Sequence, residues 1–221
     1  GTLTVLPPTY RSDLTREIDI IEEIVRLGGY ENVPTTLPDC VLSGGGERPG
    51  ERCQRDLKRL LTSLGLNEAV LLSFCSRRFN VLFPGLDSRG GPVSILNPVT
   101  QDEPELRLSL CPGLIRAARD NLDQGAANAA LFCLGKVFWR GDTFNEGLRL
   151  AAAISRKIPT GGLGGATVSE FTDVKGLVEA VLDALGVWQA SWLPATDLVA
   201  FHPGKTARIE IDGRQVGIVG G

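Results

Sequence analysis

Four carboxylates near the start of the chain have the types and spacing to hold a hard cation: Asp13, Asp19, Glu22 and Glu23. On a helix, positions 19, 22 and 23 are i, i+3 and i+4 and share one face within about one turn. Asp13 falls at or just before the expected helix start, where the backbone can turn its side chain toward a common point. Oxygen ligands crowded in this way suit Mg²⁺, which usually takes one or two carboxylates and keeps several waters. A plain structural reading stands beside this one. Acidic side chains favour early helix turns, Asp13 can cap, and Glu22 can pair with Arg26. Pattern alone leaves both open.

The other candidates are weaker. Gly204-Lys205-Thr206 has the ending of a phosphate-binding P-loop, but that motif needs Gly where Val199 stands. It also needs a following helix whose N-terminus holds the phosphate, and here a strand is expected. His202 is the only histidine and has no nucleophile in a recognisable turn, so it is assigned a loop-anchoring role. Gly161-Gly162-Leu163-Gly164-Gly165 lacks the rest of a dinucleotide fingerprint. Arg77-Arg78 and the Arg55, Lys58, Arg59 group read as solvated faces. The five cysteines (40, 53, 75, 111 and 133) contain no CxxC pair, so neither a zinc site nor a redox motif is indicated. Cys53, Cys75, Cys111 and Cys133 lie in apolar patterns, where a reduced thiol acts as a small hydrophobe. No catalytic residue is assigned.

The elements that must position these groups follow from periodicity. Thr4-Val5-Leu6 before Pro7-Pro8 predicts a short strand. From Asp13 to about Gly28 the apolar residues Leu14, Ile18, Ile21 and Val25 predict a helix, stopped by Gly28-Gly29. Residues 38–50 carry Ser43-Gly44-Gly45-Gly46 and Pro49, which is linker chemistry. Helices are predicted over Pro49–Leu64, Pro112–Gln124 and Asp173–Leu185. Each is followed by glycine, at 65, 125 and 186. Strands are expected at Ala69–Cys75, Val93–Ile95, Leu131–Trp139 and Leu148–Ser155, the last two pairing across Arg140–Gly147. Ala207–Ile211 and Gln215–Val219 flank Asp212-Gly213, a two-residue hairpin signal. Hairpins interrupted by helices predict an α+β fold on a mainly antiparallel sheet.

Bulk properties bound the rest. A 221-residue chain can bury a sizeable core without staples, and 43% hydrophobic with 22% charged residues is ordinary for a globular protein. A net charge of −3 argues against a dedicated nucleic-acid binder. There is no apolar run long enough for a membrane span and no recognisable leader. With no methionine, a glycine start and an end just after an apolar strand, the chain is expected to be a piece of something longer.

Several strings also resemble one family in collinear order. Pro8 to Asp13, Asp19 to Ile24 and Gly28 to Pro34 resemble the end of a small domain of the bacterial phenylalanyl-tRNA synthetase β subunit. Asn97-Pro98, Arg107 to Leu114, Leu134 to Phe138, Phe171 to Gly176 and Phe201 to Ala207 resemble its catalytic-like domain. On either side of the linker at 39–50, the resemblance implies the helix-containing tail of a small α/β domain at 1–38 and a class II synthetase-like antiparallel sheet with helices at 51–221, without catalytic residues. It implies an α subunit that carries the active site and uses ATP, with two αβ pairs forming the assembly. tRNA would be bound by the whole complex, in the cytoplasm, with no membrane. It further implies Asp13, Asp19, Glu22 and Glu23 as ligands of a Mg²⁺ shared with the α subunit, and little or no metal on this chain alone. The larger domain is expected to keep an apolar face for its partner. The alternative is a free-standing, non-enzymatic binding module that reuses the same domains; co-purification with an α partner separates the two.

Overall fold

The computed structural model describes residues 1, 3–37, 39–40, 45–86, 90–155 and 171–221. These form two compact units, Gly1–Gly46 and Glu47–Gly221.

The smaller unit is built on helix α1 (Glu17–Gly28), followed by a 3₁₀ turn at Tyr30–Asn32. The helix begins four residues later than Asp13. Residues 8–15 are held in turns, with Arg11 N–H donating to the Pro8 carbonyl and Leu14 N–H to that of Arg11. The cap comes from inside the helix: the Asp19 carboxylate accepts from the Arg16 and Thr15 amides at 2.7 and 3.0 Å. Gly29, at φ 90°, takes the left-handed turn that ends the helix. The strand expected at Thr4–Leu6 is not formed. A strand needs a neighbour for its amides and carbonyls, and the described part of this unit holds no strand at all.

The larger unit opens with α2 (Pro49–Ser63), whose first turn carries the proline and whose Leu57 and Leu61 are buried. Gly65 (φ 88°) turns the chain into β1 (Asn67–Glu68), which runs parallel to β4 (Ala129–Arg140). Then come β2 (Phe74–Cys75), α3 (Arg77–Leu82), β3 (Glu105–Leu106) and α4 (Cys111–Asp123). β4 and β5 (Phe144–Ser155) form one antiparallel hairpin in unbroken register, Ala129 opposite Ser155 and Arg140 opposite Phe144. Its turn is therefore shorter than the expected Arg140–Gly147. Helix α5 (Phe171–Ala184) precedes a second antiparallel sheet of β6 (Ser191–Pro194), β7 (Thr206–Ile211) and β8 (Arg214–Gly220). β7 and β8 turn through Asp212 (φ 50°) and Gly213 (φ 72°), as the Asp-Gly pair predicts.

Side-chain alternation on the long hairpin makes the core. Cys133 and Val137 point to one face, packed with Leu110 and Leu114 around α4, with Leu131, Trp139, Ala151 and Ala153 beside them. Phe132 points to the other, packed with Leu61 and Leu66 and flanked by Ala130, Leu150, Ile154, Leu177 and Val181. Both faces of the hairpin's inner half are thus covered with apolar side chains.

Three expectations need correcting. Ala69–Cys75 is not one strand: only its ends pair, and Leu71 and Leu72 give their carbonyls to the Arg107 side chain instead of a ladder. Val93–Ile95 makes a single bridge, Ser94 to Glu105, rather than a strand. Cys53 is exposed, as is Cys40, while Cys75 and Cys133 are buried. Burial pushes the Cys75 thiol up to about 11. The Gly161–Gly165 loop and residues 41–44 of the linker lie outside the described residues.

Candidate functional site

In the smaller unit the acidic residues meet arginines. Arg11 Nε lies 3.0 Å from Asp13 Oδ1, and its Nη2 donates both to Asp13 Oδ2 and to Glu23 Oε1, each at 2.7 Å. The second oxygen of Glu23 accepts from Arg26 Nη2 at 2.7 Å. Asp19 is bound by the Thr15 and Arg16 amides. Glu22 is exposed, with no hydrogen bond or ion pair among the described residues, so Arg26 pairs with Glu23 and not with Glu22 as expected. The two arginines hold the Glu23 carboxyl down at about 2. Asp13 is lowered chiefly by Arg11, Asp19 by the Thr15 amide.

As placed, the four carboxylates do not fit a shared divalent ion. Among the described residues no three His, Cys, Asp or Glu side chains gather around one point. Asp13 and Glu23 converge, but on a guanidinium, and Asp19 faces the helix N-terminus. The carboxylate pattern does not point to Arg11; its place two residues before Asp13 is the one local signal for it.

In the larger unit the buried side chains Asn80, Glu105 and Arg107 are all tied into hydrogen bonds with one another or with the backbone. Asn80 (3% exposed) donates to Glu105 Oε2 and to the Leu106 carbonyl, and its Oδ1 accepts from Leu108 N–H, all at 3.0 Å. Arg77 reaches the other Glu105 oxygen at 3.5 Å. Arg107 (7% exposed) donates through Nε to the Lys136 carbonyl and through Nη1 to those of Leu71 and Leu72, at 2.9–3.1 Å. Its charge is met by carbonyl dipoles, with desolvation pulling its pKa down. A Cβ on Gly135 would come within 2.8 Å of Arg107 Nη2, so glycine is what lets the guanidinium lie across β4.

Beside this network the segment between β1 and β2 presents apolar residues outward. Leu71 turns in against Gly113 of α4, and Val70 and Leu72 on either side of it are 93% and 76% exposed. His202 anchors a turn: its Nδ1 accepts from Gly204 N–H at 3.1 Å, and its amide donates to the Gly221 carbonyl at 2.7 Å. Strand β7 follows Lys205 directly, so the P-loop helix is replaced by a strand. Two cavities are lined by described residues. One, of about 420 Å³, lies between α2 and the end of α5 beside Cys53 and Leu57; the other, of about 450 Å³, sits at the β4–β5 tip beside Trp139 and Asp142. None of the buried polar side chains lines either.

Residues 33–221 match the family model for the phenylalanyl tRNA synthetase beta chain CLM domain, and residues 1–30 match the tRNA synthetase B5 domain. The chain belongs to the phenylalanyl-tRNA synthetase β-chain family. It is 34% identical to the phenylalanine–tRNA ligase beta subunit of Geobacter sulfurreducens and 35% identical to that of Pseudomonas putida. Both matches cover 100% of this chain and 28% of the relative, so the chain spans about a quarter of those proteins. The Moorella thermoacetica subunit is similar at 32%. Among solved structures, two of a pyrrolysyl-tRNA synthetase from Desulfitobacterium hafniense share the fold at TM-score 0.57 with 15% and 14% identity. They cover 90% and 96% of this chain and 60% and 70% of theirs. The chain therefore shares its fold with these synthetases, and at that identity the likeness speaks for the fold alone. No helix among the described residues is long and apolar enough to cross a membrane.

Proposed function

We propose that this chain is a non-catalytic, partner-binding part of the β subunit of a bacterial phenylalanine–tRNA ligase. The α subunit of that enzyme would carry the active site, use ATP and charge the tRNA, in a cytoplasmic assembly of two αβ pairs. The observation that carries the reading is the filling of the β4–β5 hairpin. Where a catalytic sheet needs polar side chains facing substrate, the inner half of this one has Cys133, Val137 and Phe132 under apolar cover. Its buried polar residues hydrogen-bond one another and the backbone. The exposed Val70 and Leu72 support an apolar partner surface, since obligate interfaces are core-like and bury upwards of about 2,000 Å². Seating Mg²⁺ on Asp13, Asp19, Glu22 and Glu23 in that assembly requires Asp13 and Glu23 to leave Arg11 and Asp19 to leave its amides.

The test is phenylalanine-dependent exchange of pyrophosphate into ATP, the partial reaction in which an adenylate forms and pyrophosphate leaves. With this chain alone the exchange should stay at background, ATP titration should be flat, and Lys205→Ala should change neither. Exchange by the chain alone, or ATP binding lost on Lys205→Ala, contradicts the reading.

A further inference from the structure

The acidic group of the smaller unit already contains its cation. We propose that Arg11 is the resident counter-ion of this group, clamping the 8–15 turn onto α1 and excluding a divalent ion.

Charge is the first support. Four carboxylates in isolation would present −4. Arg11, Arg26 and Arg16 are paired with Asp13, Glu23 and Asp19, so the group as folded presents about −1, carried by Glu22. A cation that must shed tightly held water gains little from such a site. Geometry is the second. The Arg11 fork bridges Asp13, two residues after it, and Glu23, twelve residues after it, and Glu23 has both oxygens occupied, one by Arg11 and one by Arg26. Bidentate and bridging arrangements are the exception to the rule that surface ion pairs contribute little. Local structure is the third. The turn with Arg11 N–H on the Pro8 carbonyl, and the next with Leu14 N–H on Arg11, bring Asp13 beside the guanidinium. The i+4 spacing of Asp19 and Glu23 separates the capping carboxylate from the clamped one by one helical turn. Lysine could not replace this fork, because a single ammonium does not offer two coplanar edges.

The experiment is a Mn²⁺ titration of the full 221-residue chain, read as site-selective paramagnetic broadening of its backbone amide signals. Mn²⁺ is the probe because it prefers the same oxygen ligands as Mg²⁺. The parent should show no selective broadening around residues 13–23 up to millimolar metal. Arg11→Gln should bind Mn²⁺ there at least tenfold more tightly than the parent. Should Arg11→Gln lose the dispersed amide signals of the smaller unit, Arg26→Gln decides. It bares one Glu23 oxygen while keeping the Arg11–Asp13 contact, and should strengthen binding by a smaller factor of about threefold. Parent binding as tight as that of the Gln variants, or no gain in the variant that decides, overturns the proposal.

Discussion

Replacing Arg107 with Met should lower the stability of the larger unit by about 3 kcal/mol, seen as a lower urea midpoint at unchanged slope. Two effects oppose each other. Removing a buried cation that has only dipoles around it relieves a desolvation cost. Against that, three part-buried carbonyls (Leu71, Leu72 and Lys136) lose their donor, and each acceptor left without one costs about 1–3 kcal/mol where water does not replace it. The stranded carbonyls outnumber the single relieved charge, so the loss dominates. For a unit of this size about 3 kcal/mol corresponds to a thermal midpoint lower by about 6–12 °C. Lysine should rescue only partly, because Nε and Nη1 serve carbonyls on opposite edges of one plane. A Met variant within about 0.5 kcal/mol of the parent would show that those carbonyls find other donors and that the network is not what holds the segment.

The second large effect concerns that segment's outward side. Val70→Asp with Leu72→Asp should leave the isolated chain's stability within about 0.5 kcal/mol, since both side chains already face solvent. If the surface is buried against an α subunit, each aliphatic side chain contributes about 1.5–3 kcal/mol there. Losing both, and desolvating two carboxylates, should weaken association by at least about a hundredfold. Affinity of the double variant within about threefold of the parent places the partner elsewhere. Comparing the Arg107 and Val70/Leu72 variants separates the holding of the segment from its use: the first acts on midpoint and affinity together, the second on affinity alone.

What the sequence made legible was local. Asp212-Gly213 fixes the β7–β8 hairpin because only residues tolerant of positive φ make that turn. The spacing of Leu177 and Val181 and the glycines at 65, 125 and 186 place the helices to within two residues at most ends. What escaped depends on distant partners. The apolar run Ala69–Cys75 reads as a strand, but strand character is a matter of who takes the carbonyls, and Arg107 takes two of them from 36 and 35 residues away. Helix α3 is only six residues long, so it has no periodicity to detect; its Ser76 cap is the one local signal. β6 carries Pro194 at its end and pairs on a single side with β7, which hides a four-residue edge strand from pattern reading. For the acidic group, residue types and helix face were legible, while the occupant was not. The spacing of carboxylates cannot tell a metal from an arginine folded back from the preceding turn.

The most direct measurement of partner binding is the association of this chain with a bacterial phenylalanyl-tRNA synthetase α subunit, followed by sedimentation velocity over a range of concentrations. A complex containing equal numbers of the two chains is expected, with the α subunit's sedimentation boundary shifted and the free chain depleted in proportion. Two boundaries that stay independent at concentrations up to tens of micromolar would contradict it, and would favour a binding module that uses the synthetase fold without the synthetase.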